Sequence, residues 1–103
     1  MQPSNTLKIE SLSDDWCDKD LVILHASFQL LKDCVEIENL LNGHTDWEAD
    51  DKHRNAKPEL QSLYTWWVQR AKEDPMDDLA KAQYKEDTEM LHRLIEVRWA
   101  LWT

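Results

Sequence analysis

The chain has 103 residues and a formal charge of -9, from 21 acidic and 12 basic side chains. One Gly and three Pro in the whole sequence exclude a β-rich fold, which needs a turn signal every ~8–12 residues. No stretch is basic: residues 1–42 sum to -5, 43–57 to -1 and 58–103 to -3. This disfavours direct binding to nucleic-acid phosphates and adsorption to an anionic membrane, and it suits solubility or a basic partner. The longest apolar runs, such as Leu21 to Leu24, are far shorter than a membrane span.

Residues 1–12 contain Pro3, Ser4, Asn5 and Thr6 and read as a mobile arm pinned by Leu7, Ile9 and Leu12. The opening MQPSNTLKIE lacks the basic start and apolar run of a signal peptide, so a cytoplasmic protein is expected. Residues 13–103 read as one helical domain. Its entry, SLSDDWCDKD, offers Ser13 or Asp18 as an N-cap and places acids at the positive end of a helix dipole.

Asp18 to Leu41 reads as one central helix of about six turns at ~3.6 residues per turn. On a helical wheel, Leu21, Leu24, Phe28, Leu31 and Val35 fall in one sector. Ile23, Ala26, Leu30, Cys34, Ile37 and Leu41 fall in the adjoining one. The two cover an arc of roughly 200°, wider than an ordinary surface helix, so this helix is expected to be packed on two sides. The remaining strip, His25, Gln29, Lys32, Asp33 and Glu36, is then the one that faces water or a ligand. Within it, His25 has a bond to a third-helix carboxylate as its expected role. Asn42-Gly43 suits the helix end. If Cys17 and Cys34 share a helix, ~1.5 Å per residue puts them about 25 Å apart, so no disulfide is expected between them. That fits a reducing compartment.

Residues 43–57 are polar and aperiodic and read as a loop. Asp46, Glu48 and Asp50 alternate as in a calcium loop, but Asp51 and Lys57 stand where the template needs Gly and Glu. His44 and His53 have no third ligand nearby in sequence. A second helix is expected from about Pro58 to Lys72, capped by Asn55, with Leu60, Leu63, Tyr64, Trp67 and Ala71 as its stripe. Trp66 lies off that stripe. The third helix starts at Asp74-Pro75-Met76-Asp77 and runs to about Leu101, with a break near Glu86. The expected fold is therefore an all-α three-helix bundle around a long central helix. Trp66, Trp99 and Trp102 exceed what two neighbouring helices can cover in so short a chain. A symmetric dimer through the Trp66 region and WALWT is one way to bury them. A partner-binding patch on a monomer is the other.

No catalytic motif is present. Asp33 with Glu36, and Glu86 with Glu89, form two i, i+3 acidic couples. If the helices bearing them were antiparallel neighbours, four carboxylates would converge on Mg²⁺, as in the all-α nucleotide pyrophosphohydrolases. That nucleotide-binding reading is the alternative. Its couples lie further apart in sequence than in those enzymes, and no Lys and Arg set for a triphosphate accompanies them. A single Glu-x-x-His, Glu89 to His92, lacks the second copy of a di-iron bundle.

The blocks DDWCDKD, LHASFQLLKDCVEIE, LYTWW and EDTEMLHRLIEVRWALWT resemble a family of short acidic bacteriophage proteins, over most of residues 13–103. The resemblance carries no catalytic residue. It implies a phage accessory protein in the host bacterial cytoplasm, without cofactor. Such a protein inhibits a host or defence protein, as some anti-CRISPR proteins do, by offering carboxylates in place of nucleic acid. A basic or nucleic-acid-binding host protein is the expected partner. The contact residues expected on this reading are Asp14, Asp15, Asp18, Asp33, Glu36, Trp66, Trp99 and Trp102.

Overall fold

The computed structural model describes residues 7–12, 19–43, 45–72 and 80–101. Among these residues it is all-α, with three helices, α1 (Lys19–Glu36), α2 (Asp51–Arg70) and α3 (Ala80–Val97), and two short 3-10 turns, Leu40–Asn42 and Arg98–Leu101. The expected N-caps Ser13 and Asp18, and the start signal at residues 74–77, lie outside the described residues.

α1 ends earlier than its apolar pattern suggests. The Ile37 and Glu38 N–H groups both donate to the Asp33 carbonyl, at 2.8 and 3.1 Å, and Asn39 then turns left-handed, with φ 55° and ψ 41°. Asn tolerates that conformation better than most residues, so the helix stops there and Leu40–Asn42 form a separate turn. A Cβ on Gly43 would lie 2.9 Å from the Asn39 carbonyl oxygen. Close approach of backbone, rather than a positive φ, therefore calls for glycine at this position.

The expected loop at 43–57 is half helix. Asp50, in extended conformation, accepts the His53 N–H on its Oδ1 at 2.8 Å, which is an N-cap bond. α2 starts at Asp51, and Pro58 sits inside the helix rather than in its first turn. α3 is continuous through Glu86 and Glu89, so the expected break is absent.

The core is built from Leu24, Phe28 and Leu31 of α1, Leu60, Leu63 and Trp67 of α2, and Leu94 and Val97 of α3, closed by Leu40, Trp47 and Ala100. Phe28 stacks on Trp67 with ring centroids 5.0 Å apart. Each such side chain contributes about 1.5–3 kcal/mol through removal from water. Tyr64 reaches Glu36 while Trp67 reaches His25 and Phe28, so α2 runs antiparallel to α1. Arg70 meets Asp87 while Arg93 meets Glu59, so α3 runs antiparallel to α2. Leu24 shares a cleft with Leu91, and Cys34 lies under Leu101. Hence α1 and α3 are parallel.

The polar strip of α1 turns inward at His25 and Gln29 and is exposed only at Glu36. His25 and Gln29 are 7% and 1% exposed, whereas Ile23, Leu30 and Ile37 are 59%, 49% and 62% exposed. The helix is rotated from the hydrophobic expectation because residues 7–12 lie along the strip and supply polar partners. The Glu10 N–H donates to Gln29 Oε1 at 3.2 Å. Ser11 Oγ is hydrogen-bonded to His25 Nδ1 at 2.7 Å. Lys32 Nζ donates to Glu10 Oε2 at 2.6 Å. A buried polar group satisfied in this way no longer costs its desolvation. His25 thus bonds to a serine of the preceding segment, not to a third-helix carboxylate.

Candidate partner-binding surface

Of the acidic residues and tryptophans singled out from the sequence, the structure describes Asp33, Glu36, Trp66 and Trp99. Asp14, Asp15, Asp18 and Trp102 lie outside the described residues. Asp33 is half-buried and accepts from Gln29 Nε2 at 2.8 Å. Glu36 is exposed and accepts from the Tyr64 hydroxyl at 2.6 Å. Trp66 is seated within the monomer. Its ring lies 5.2 Å from Phe28 and 6.0 Å from Trp67, and its Nε1 donates to Glu86 Oε1 at 2.6 Å. Trp99 is also half-buried, edge-on to His53 at 5.1 Å.

The four-carboxylate alternative fails on helix direction. Because α1 and α3 are parallel, Asp33 and Glu36 sit at the Leu101 end of the bundle, while Glu86 and Glu89 sit well back along α3. Among the described residues no group of three or more His, Cys, Asp or Glu is arranged to hold a metal ion.

Trp99 nevertheless marks a distinct site. The 3-10 turn after α3 carries it across to the first turn of α2, where Lys52 Nζ lies over the ring, 4.2 Å from its centroid. This is a cation–π distance. The ring closes one end of an open groove of about 600 Å³ between α2 and α3, bordered by Lys52, Glu59, Arg93, Glu96 and Val97. Glu59 accepts from Arg93 Nε at 3.0 Å and is also bonded to its Nη2. The Arg93 guanidinium holds the Glu59 carboxyl below the usual carboxylate range, and Glu59 in turn raises Arg93. Glu96 is exposed, with His92 Nε2 3.6 Å away. Asp46, Glu48, Asp50 and Asp51 are exposed in the turn and cap that lead into Lys52, where Asp50 is paired with His53 at 2.8 Å and Asp51 with Arg54, so the segment that brings Lys52 to Trp99 is rich in carboxylates. An aromatic face among carboxylates attracts a cation on both counts.

Lys52, Glu59, Arg93 and Glu96 were not foreseen from the sequence. Lys52, Ala56 and Glu59 share one helical face at i, i+4 and i+7, a pattern visible only once Asp50 is recognised as the cap. Cys34, by contrast, offers no nucleophile. Burial and the neighbouring Glu38 push its thiol up to about 12, and a thiol, unlike a thiolate, is a poor nucleophile. No helix among the described residues is long and apolar enough to cross a membrane. The chain matches no protein-family model, no curated protein and no solved structure.

Proposed function

We propose that the chain is a non-catalytic binding protein that receives a basic segment of a nucleic-acid-binding host protein in the Trp99 groove. The observation that carries this reading is the seat of Lys52 Nζ, 4.2 Å from the Trp99 ring centroid. The groove already holds one cation of its own chain, and a Lys or Arg side chain of a partner satisfies the same chemistry. On this reading the exposed acids Asp46, Glu48, Asp50, Asp51 and Glu96 take the part of phosphates for the partner, and the -9 charge steers a basic partner toward them. The likeness of the sequence blocks to small acidic phage proteins adds the role of the complex. Occupying a basic site inhibits a host or defence protein, in the manner of some anti-CRISPR proteins, in the bacterial cytoplasm.

The test is titration of a short Arg-rich peptide, followed by tryptophan fluorescence at low and high salt. Saturable binding that weakens with salt is expected, and Trp99→Ala is expected to weaken it about 2- to 30-fold, the span of a cation–π contact of ~0.5–2 kcal/mol. Glu96→Gln should weaken it less. Binding that ignores salt, or that survives Trp99→Ala unchanged, rejects the groove as the site.

A further inference from the structure

The outer face of α1 carries Ile23, Leu30 and Ile37, all about half or more exposed. They recur at seven-residue intervals, the repeat of a helix–helix seam, and span about 21 Å at ~1.5 Å per residue. Ile37 belongs to the stripe because its N–H still donates to Asp33 at 2.8 Å. Between Ile23 and Leu30 the same face presents Ala26 and Ser27, small residues that let a second helix approach closely. Alongside, Leu21, Leu24 and Leu91, with exposed Tyr84, border a cleft of about 200 Å³ at the seam of α1 and α3.

We propose that this face is the interface of a homodimer, with α1 antiparallel to α1 of a second copy about a two-fold axis at Leu30. The stripe's own symmetry identifies the occupant. An isologous contact requires one patch to be complementary to itself. Counting outward from Leu30 in either direction, the next stripe residue is an isoleucine seven positions away. The axis therefore sets Leu30 on its own copy and Ile23 on Ile37 of the second chain. In that register Asp33 falls level with Ser27 and Glu36 level with Leu24. Neither of these carboxylates then meets a carboxylate of the second helix, which is what two chains of -9 each require. The inference is independent of the Trp99 groove and has the opposite salt dependence, because salt screens the repulsion between two like-charged copies.

Sedimentation equilibrium over micromolar to submillimolar concentration tests it. A dimer is expected, tighter at high salt, and Leu30→Asp should return it to monomer with unchanged helical circular dichroism. A second measurement reads the register directly in a Cys17→Ser background. Leu30→Cys should form an interchain disulfide under mild oxidation. Ile23→Cys alone should not, but mixed with the Ile37→Cys chain it should. A wild type that stays monomeric throughout, a dimer that survives Leu30→Asp, or Ile23→Cys crosslinking to itself each overturns the proposal.

Discussion

Arg70 and Asp87 form a two-pronged ion pair inside the bundle. Nε donates to Oδ1 at 2.8 Å and Nη2 to Oδ2 at 2.9 Å, and each residue is only 7% exposed. Gln83 Nε2 adds a third bond to the carboxylate at 2.9 Å. The pair joins the last turn of α2 to the N-terminal half of α3. Asp87→Ala removes the carboxylate facing a buried guanidinium and should cost roughly 3–5 kcal/mol. Replacing both residues by Met and Leu should cost much less, because no unbalanced charge remains. Urea unfolding of the single and double variants checks this. Equal losses for both would mean that packing, not charge, dominates here.

His25 should give the fold a pH dependence. Burial lowers its pKa, the Arg70 charge lowers it further, and Asp87 partly opposes them. The unfolded chain therefore takes up a proton at a higher pH than the folded one. The stability that comes from neutral His25 is fully present above the ordinary histidine value of about 6.5 and is lost as pH falls through the folded pKa below it. Thermal melts should show a declining Tm from neutral to mildly acidic pH, and His25→Gln should flatten that decline. A slope unchanged by the substitution would assign it to other groups.

The rotation of α1 explains what was legible in the sequence and what was not. Three helices and the apolar character of Leu24, Phe28, Leu31, Leu60, Leu63 and Trp67 follow from local periodicity alone. The choice between Ile23 and His25 as the inward residue does not, because it depends on Glu10 and Ser11 arriving from outside the helix to bond Gln29 and His25. The start of α2 was hidden for a different reason. Its first turns are polar all round, and Pro58 resembles a first-turn residue although α2 runs through it. The Trp99 groove depends on that hidden first turn, and so does the pairing of Lys52 with the ring. The direction of α3 relative to α1, which keeps the two acidic couples apart, is a property of chain connection that no helical wheel contains.

Lys52 competes with any cationic ligand for the Trp99 face. Lys52→Ala should therefore strengthen binding of an Arg-rich peptide, by a few-fold if the vacated contact is worth about 1 kcal/mol. The added negative charge acts in the same direction. Calorimetry at matched ionic strength checks it, and weaker binding by the variant would show Lys52 to be a contact rather than a competitor.

Cys34 should resist modification. It is 8% exposed and its thiol is shifted up to about 12. In a Cys17→Ser background, a thiol reagent at neutral pH should label the chain only at the rate of opening of the fold. Rapid labelling would contradict its burial.

Two segments far apart in sequence close on the same two turns of α1. Glu10 grips Gln29 and Lys32 from one side, and the Leu101 carbonyl lies 3.5 Å from Cys34 Sγ on another. The stretch from Gln29 to Cys34 thus works like a buckle through which both straps pass. Both straps bear on the same turns. A reporter placed there, such as a fluorinated Phe28 or an exchange-resistant amide at Leu31, would register fraying of either segment as one signal, without revealing which of them had let go.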